Sequence, residues 1–100
     1  MPITQKLDLK NHKLDIVISS SFNFELHNEF RNAYRDVQAD KNIDVTVDLK
    51  NAEYMDSSAL GMLLLLDEHF KEQRINITNG SDYIKQVLDV ANFSMKFNIS

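Results

Sequence analysis

The sequence predicts an α/β fold in which helices pack on one partly parallel sheet, with the element order β-β-α-β-α-β-α-β. The chain opens with two segments that alternate apolar and polar residues, and segments of helical spacing then alternate with short strand-like segments. Strands that are joined through helices need crossover connections, which make neighbouring strands parallel. With 43% hydrophobic and 26% charged residues, one proline and two glycines, residues 1–100 read as one globular domain.

The first two strands are expected to form an antiparallel hairpin. Residues 3–9 alternate loosely and residues 14–19 alternate more regularly. Asn11 and His12 lie between them, and asparagine tolerates the backbone conformations that hairpin turns require. Residues 19–23 are mostly polar and are predicted to connect the hairpin to a helix, with Asn23 as its N-cap.

The next segment predicts a first helix over residues 24–39, closed by Asp40, Lys41 and Asn42. Its apolar residues fall at helical spacing, namely Leu26, Phe30, Ala33, Tyr34 and Val37. Residues 43–49 are β-branched at four of seven positions and alternate strictly, which predicts a strand. Residues 50–55 are then expected to be a short connection. Since Phe22 and Phe24 cannot both point inward from an extended segment, one of them is predicted to lie on the surface.

The second helix is predicted to begin at Asp56 or Ser57 as the N-cap and to end near Gln73. Its buried stripe on a helical wheel comprises Leu60, Leu63, Asp67 and Phe70, with Ala59 and Leu66 beside them. Its outward row comprises Gly61, Leu65, Glu68 and Glu72, with Met62 at the margin. Ser57 and Ser58 flank the start of this outward row.

The C-terminal third predicts a strand, a helix and a strand. Residues 75–78 form the first strand, which Asn79 and Gly80 end. Ser81 or Asp82 caps the third helix. The apolar stripe of that helix contains Ile84, Val87, Leu88 and Ala91, and the last strand contains the alternating residues Met95, Phe97 and Ile99.

Composition excludes several classes of function. Eleven basic and fifteen acidic residues give a net charge of -4, the wrong sign for a general nucleic-acid-binding protein. The absence of cysteine removes disulfides, thiol catalysis and thiolate metal sites, and it fits a reducing cytoplasm. The longest apolar stretch, residues 59–66, is too short to span a membrane, and residues 1–6 lack the apolar segment of a secretory signal. We therefore expect a cytoplasmic protein that does not insert into a membrane.

No catalytic or metal site is predicted. His12, His27 and His69 do not have the spacing of metal ligands. Ser57 does not lie in a G-x-S-x-G motif, which forms the nucleophile elbow of serine hydrolases. Gly61 and Gly80 are isolated, so no glycine-rich phosphate loop exists and no cofactor is expected.

The most specific segment is Asp56-Ser57-Ser58, which is predicted to lie at the first turn of the second helix. That turn has unsatisfied N–H groups and the positive end of the helix dipole. A phosphate esterified to Ser57 or Ser58 would meet these amides, so the position tolerates added negative charge. The alternative is that Asp56 and its neighbours only cap the helix.

Residues 49–63, Leu-Lys-Asn-Ala-x-Tyr-Met-Asp-Ser-Ser-Ala-Leu-Gly-Met-Leu, resemble the signature of STAS domains, the anti-sigma-factor-antagonist family. The resemblance extends over essentially the whole chain, because the element order and the length also agree. It implies that Ser57, the first serine after the aspartate, is the phospho-acceptor. Asn23 stands where the family usually has an aspartate, a glycine shortly before it is missing, and Ala59 replaces the glycine of some relatives.

The resemblance implies a protein-binding switch rather than an enzyme. Without phosphate, the domain would bind an anti-sigma factor, often itself a serine kinase, and so regulate sigma-factor-dependent transcription. Phosphorylation would end this binding and a serine phosphatase would restore it. The expected partner-binding residues are Asn23, Asp56, Ser57, Ser58, Gly61, Met62 and Leu65. Another element could instead cover Leu65, or Leu65 could be an isolated surface leucine.

A second function remains open at this point. STAS-like domains also accompany anion transporters and lipid transporters, so the chain could be an accessory subunit of a membrane transporter or a lipid-transport assembly. Since no segment of this sequence spans a membrane, that role would require a separate transporter subunit.

Overall fold

A computed structural model describes residues 2–38, 43–71 and 73–100. The strands are β1 (Ile3–Asp8), β2 (Lys13–Phe22), β3 (Asp44–Met55), β4 (Asn76–Thr78) and β5 (Asn98–Ile99). The α-helices are α1 (His27–Tyr34), α2 (Ser57–His69) and α3 (Asp82–Val90), and short 3-10 helices cover Phe24–Leu26 and Phe93–Met95. The predicted element order and the predicted α/β class with a partly parallel sheet are confirmed.

The five strands form one sheet in the order β1-β2-β3-β4-β5. β1 and β2 are antiparallel, and β2, β3, β4 and β5 are parallel neighbours joined through helices. Because each crossover moves one strand in the same direction and such crossovers are right-handed, all three helices lie on one face of the sheet. No helix in the described part of the chain has the length and apolarity that crossing a membrane requires.

The core lies between the helices and the sheet face that they cover. The side chains of the strands on this face are buried, including Leu14, Ile16, Ile18, Val45, Val47, Leu49 and Ile77. The alternate residues Asp15, Val17, Thr46 and Asp48 are only half-buried, because no helix of the described residues covers the opposite face of the sheet. The two-residue period of the strands therefore separates a covered face from an open one.

The predicted hairpin is confirmed, with Asp8 paired to Lys13. The turn residue with a positive φ is His12 (54°) rather than Asn11. Asp8 accepts hydrogen bonds from the backbone N–H of Asn11 at 3.1 Å and from its side-chain amide at 2.8 Å. These bonds from Asn11 lower the pKa of Asp8 below its usual range.

Two predicted connections are wrong, because residues 19–22 and 50–55 are both strand. They extend β2 and β3 and pair with each other, ending with Phe22 opposite Met55. Irregularities between Val17 and Ser19 and between Ser20 and Ser21 shift the register. Such bulges break the alternation of inward and outward residues, so the polar sequence of these segments does not look like a strand.

The predicted ends of several elements also change. A 3-10 turn precedes α1, which ends at Tyr34, and the predicted closing residues 40–42 lie outside the described residues. α2 ends at His69 because Phe70 leaves the helical conformation. Ser81 is confirmed as the cap of α3, since its hydroxyl accepts the N–H of Ile84 at 3.2 Å. Met95 lies in a 3-10 turn and not in the last strand.

Candidate functional site

The N-terminus of α2 begins directly at the end of β3. Asp56 is the N-cap, with extended backbone, and its Oδ1 accepts the N–H of Ala59 at 3.2 Å. The same oxygen accepts the hydroxyl of Ser58 at 2.5 Å. Ser57 is exposed, and its hydroxyl has no hydrogen-bond partner among the described residues. Of the two serines, Ser57 therefore presents the accessible hydroxyl.

Asn23 lies next to this turn because β2 and β3 are parallel and end together. The N–H of Asp56 donates to the carbonyl of Phe22 at 3.3 Å, which joins the two strand ends. The side-chain oxygen of Asn23 accepts the N–H of Glu25 at 2.9 Å and caps the 3-10 turn before α1. Asparagine thus performs the capping that an aspartate could perform, without adding a second negative charge beside Asp56.

Electrostatics at this helix end act in two directions. Ser57 and Ser58 are the first two helical residues, so the helix offers no acceptor for their backbone N–H groups. These amides and the helix dipole favour an anion at Ser57. The Asp56 carboxylate beside them disfavours a second anion. An anion added at Ser57 would therefore meet favourable backbone amides and one unfavourable carboxylate.

The exposed face of α2 differs from the predicted face at Met62. Gly61, Leu64, Leu65 and Glu68 are exposed. The prediction that Met62 lies at the partner-binding surface is wrong, because this side chain is only 4% exposed. Glu72, which was also predicted to point outward, lies outside the described residues.

The position of α1 explains this correction. The buried residues of α2 are Ala59, Met62, Leu63 and Leu66, and Phe70 is buried just beyond the helix end. Compared with the predicted stripe, the buried side of the helix is turned toward Met62 and away from Leu60 and Asp67. Met62 faces α1 and lines a small cavity together with Phe30 and Tyr34, whereas Leu60 and Asp67 are only half-buried. The wheel ranks faces by apolarity and contains no information on which neighbouring helix packs closer.

Two grooves flank α2. The α1–α2 groove, of about 440 Å³, is lined by His27, Arg31, Tyr34, Arg35, Leu65, Glu68 and His69. The α2–α3 groove, of about 390 Å³, is lined by Leu60, Tyr83, Gln86, Val87, Val90 and Ala91. Burial raises the pKa of Tyr34 in the α1–α2 groove, and the positive charge of Arg31 partly offsets that increase. The first groove is polar and cationic, and the second is mainly apolar.

Aromatic pairs lie on both sides of the Ser57 turn. Tyr54 and Tyr83 stack with ring centroids 6.0 Å apart, and the Tyr83 hydroxyl donates to the carbonyl of Met55 at 3.5 Å. Phe24 stacks on His27 at 5.1 Å. Phe24 is 66% exposed while Phe22 is fully buried, so the prediction that only one of them faces inward is confirmed.

Four residues near the site were not predicted from the sequence, namely Tyr54, Tyr83, Arg31 and Arg35. The one available signal for Tyr83 was its position beside the apolar stripe of α3, and such a position is common for surface residues. Arg31 and Arg35 are four residues apart, which places them on one flank of α1 but does not show that α2 lies next to that flank.

Two of the three histidines, His27 and His69, have side-chain contacts in this fold. His69 Nε2 lies 2.9 Å from the carbonyl oxygen of Val37, and its ring meets Tyr34 edge-on at 5.2 Å. His27 stacks on Phe24. Within residues 2–38, 43–71 and 73–100, no three histidine, aspartate or glutamate side chains converge in a way that could hold a metal ion.

Sequence comparisons match almost the entire chain. Residues 6–96 match a family model described as MlaB, STAS domain. The chain is 41% identical over 102 residues to a STAS-domain containing protein of Pseudomonas aeruginosa (strain UCBPP-PA14), and the match covers 100% of both proteins.

Solved structures share the fold at low sequence identity. A putative anti-sigma factor antagonist from Thermotoga maritima superimposes with a TM-score of 0.81 at 16% identity, over 97% of this chain and 84% of that one. The anti-sigma factor antagonist SpoIIAA in its unphosphorylated form gives 0.74 at 13% identity, over 98% and 86%. SpoIIAA of Bacillus in the phosphorylated form gives 0.69 at 11% identity, over 98% and 90%.

Proposed function

Because the chain belongs to the STAS-domain family, we propose that it is an anti-sigma factor antagonist that works as a phosphorylation-controlled protein-binding switch in the cytoplasm. In the unphosphorylated state it binds an anti-sigma factor with serine-kinase activity, and so it regulates sigma-factor-dependent transcription. The observation that carries this proposal is the pair of serines after Asp56. The Ser58 hydroxyl is held by Asp56, whereas the Ser57 hydroxyl is exposed and without a partner in the described part of the chain.

The proposed contact surface starts at Asn23 and the Asp56-Ser57-Ser58 turn and continues along the exposed row of α2. A β-carbon placed on Gly61 would meet no atom within 4 Å, so the bare backbone there is open to a partner. Leu65, which is 51% exposed, lies one turn further along the helix. A partner that packs closely on Gly61 and Leu65 has to cover Ser57 as well, because all three lie on the same side of α2.

Phosphorylation of Ser57 adds about two negative charges and three acceptor oxygens to this turn. Water solvates that dianion in the free protein, and the backbone amides of Ser57 and Ser58 contribute. In the complex the phosphate would lose water and meet the partner at close range. The switch therefore acts through local desolvation, bulk and repulsion, and hydrolysis by a serine phosphatase restores binding.

Phosphosite mapping tests the assignment to Ser57. Incubation with the cognate kinase, followed by fragment-ion mass spectrometry, is expected to place phosphate chiefly on Ser57. Ser58→Ala serves as the matched control and is expected to keep the phosphate. Phosphate found mainly on Ser58 or at another residue would contradict the assignment.

Substitutions at Ser57 test the switch itself. Ser57→Ala is expected to preserve the fold and to leave the protein constitutively bound to its partner. The cost to the free energy of unfolding is expected to stay below about 1 kcal/mol, because Asp56 provides the cap. Ser57→Asp is expected to weaken binding only in part, since an aspartate carries one charge. Equal affinities of both variants, measured by titration with the purified partner, would argue against a charge-gated interface.

The α2–α3 groove favours a second candidate, the accessory subunit of a membrane transporter or lipid-transport assembly. This apolar surface includes Val90, which is 78% exposed, and the switch at Ser57 makes no use of that residue. A permanent subunit contact needs such a surface and no phosphate. Proteins that bind the domain are recovered from the native cell. Transporter subunits that bind Ser57→Asp but not Val90→Asp would support the accessory role. A kinase that binds Val90→Asp but not Ser57→Asp would support the switch.

A further inference from the structure

We propose that the α1–α2 groove binds an acidic segment of the partner protein, with carboxylates of the partner at Arg31 and Arg35 and an apolar side chain of the partner on Leu65. The proposal rests on the proposed function, because it describes where the partner that covers Ser57 continues along α2. It adds the chemistry of the partner, which neither the serine nor the family match specifies.

The first observation is that charge is segregated around α1. His27, Arg31 and Arg35 follow each other at intervals of four residues, so they share one flank of the helix, and all three line the α1–α2 groove. Glu29 lies on the opposite flank, where its Oε2 accepts the N–H of Ile3 at 3.0 Å. The Glu29 carboxylate thus binds the backbone of the edge strand β1, while the guanidinium groups of Arg31 and Arg35 lie on the flank that faces α2.

The second observation is that these arginines lack strong partners inside the described part of the protein. Arg35 contacts Asp36 at 3.8 Å, and both side chains are mostly exposed, so this pair contributes little. Arg31 lies within 4 Å of no carboxylate of the described residues. Glu68 lines the same groove without forming an ion pair with either arginine. The two guanidinium groups are therefore available for the carboxylates of a partner, which they can bind in bidentate geometry.

The third observation is that the groove combines this charge with an apolar floor. Phe30, Tyr34 and Met62 are buried beneath it, and Leu65 is half-exposed at its wall. Phe30 and Tyr34 also pack edge to face, with ring centroids 5.7 Å apart, which makes the floor rigid. A small inorganic anion would fill only the charged part of a groove of about 440 Å³. A peptide with both carboxylates and an apolar side chain matches the whole surface.

An acidic partner segment is also consistent with control by Ser57. Leu65 lies eight residues after Ser57, about 12 Å further along the helix axis. A dianion at Ser57 and a carboxylate in the groove would repel each other by less than about 1 kcal/mol in water. This repulsion thus weakens the complex in addition to the loss of local contacts at Ser57, which has the larger effect.

Photo-crosslinking identifies the segment that occupies the groove. p-Benzoylphenylalanine replaces the exposed Glu68 in the native cell, and the crosslinked partner peptide is sequenced by mass spectrometry. The same photoreactive residue in place of Gln86, in the α2–α3 groove, is the matched control. An acidic segment captured from Glu68 supports the proposal. A basic or uncharged segment, a second copy of this chain, or capture only from Gln86 would overturn it.

Titration of the purified crosslinked partner then measures the role of charge. Arg31→Glu/Arg35→Glu is expected to weaken binding at least tenfold, and Arg31→Gln/Arg35→Gln less than that. Lys85→Glu, a charge reversal on the exposed flank of α3, is the control and is expected to change binding less than twofold. Thermal melts of each variant separate this effect from a loss of helix stability. Unchanged binding in the double glutamate variant would overturn the groove proposal, while loss of Ser57 control with binding intact would overturn the proposed switch instead.

Discussion

The two grooves beside α2 differ in depth of packing and in charge, although the same helix forms one wall of each. On the α1 side, Met62 is buried and the upper wall carries Arg31 and Arg35. On the α3 side, Leu60 is half-buried and the opposite wall consists mainly of Tyr83, Val87 and Val90. α1 packs more extensively on α2 than α3 does, so apolar groups are buried on the α1 side and charged groups lie at its rim. On the α3 side, apolar groups such as Val90 remain at the surface.

This difference shows why exposure alone does not define a docking surface. Leu65 and Val90 are both exposed and apolar. Leu65 lies beside Arg31 and the weakly paired Arg35 and above the aromatic pair of Phe30 and Tyr34, so its surroundings specify the chemistry of a partner. Val90 stands among neutral residues, which specify only that a partner is apolar. The variants below separate the two grooves, from the largest expected effect to the smallest.

Shortening Met62 should produce the largest effect on stability. Met62→Ala removes buried atoms from the floor of the α1–α2 groove and is expected to lower the free energy of unfolding by about 2–4 kcal/mol. Leu65→Ala, one turn further along the same wall, is expected to cost less than about 1 kcal/mol because the side chain is half-exposed. Urea unfolding of both variants checks the contrast. Equal costs would show that Leu65 belongs to the core.

A charge at Leu65 should weaken partner binding strongly without unfolding the domain. In Leu65→Glu the new carboxylate stays in water and lies near Arg31 and Arg35, where it competes with the carboxylates of a partner. Helix propensity barely changes. We expect at least a tenfold loss of affinity with a melting temperature close to that of the wild type, measured by titration and circular dichroism. A collapsed melt, or unchanged affinity, would remove Leu65 from the docking surface.

On the α3 side, the Tyr54–Tyr83 stack should contribute a smaller amount. Tyr54→Ala removes a half-exposed ring that lies 6.0 Å from the ring of Tyr83. The expected cost is about 0.5–1.5 kcal/mol, the usual range for an aromatic pair. Tyr54→Phe keeps the ring and is expected to restore stability in thermal or urea unfolding. If Tyr54→Phe is as unstable as Tyr54→Ala, the ring stack is not the source of the effect.

The smallest expected effect is on the pKa of Tyr34, which lines the α1–α2 groove. Burial raises the pKa of Tyr34, so the folded state keeps this phenol neutral when the unfolded chain, with a pKa of about 10, starts to ionise. Its contribution to stability is therefore complete below about pH 10 and is lost as the pH rises through the folded pKa. Arg31→Gln removes the opposing positive charge and should raise this pKa further. Absorbance titration, with Tyr34→Phe subtracted, checks the shift, and a lowered pKa would contradict it.

Local signals in the sequence predicted a large part of this fold. The caps were expected at Asp56 or Ser57 and at Ser81 or Asp82, and in each case the first residue accepts the N–H three residues later. The alternation of residues 43–49 gave β3 its buried face, and helical spacing placed Phe30 and Leu63 in the core. These features depend on a few neighbouring residues, so periodicity and capping chemistry suffice to find them.

Features that depend on two distant segments were missed. Residues 19–22 and 50–55 become strand because they pair with each other, and neither segment shows a regular strand alternation by itself. Met62 was expected at a surface because the helical wheel does not contain α1. The choice of Ser57 over Ser58 as the phospho-acceptor was predicted from the family resemblance. Only the structure shows that the Ser58 hydroxyl is bound to Asp56 while the Ser57 hydroxyl is free among the described residues.

The sequence by itself therefore determined the order of elements, the helix caps and the position of the serine turn, because these follow from interactions over three or four residues. The tertiary structure alone decided which side of α2 is buried, how β2 and β3 extend to bring Asn23 beside Asp56, and that Arg31 and Arg35 share a groove with Leu65. The physical reason is that burial and electrostatic pairing depend on which helices and strands approach each other. That approach is set by packing of the whole core and not by any one segment.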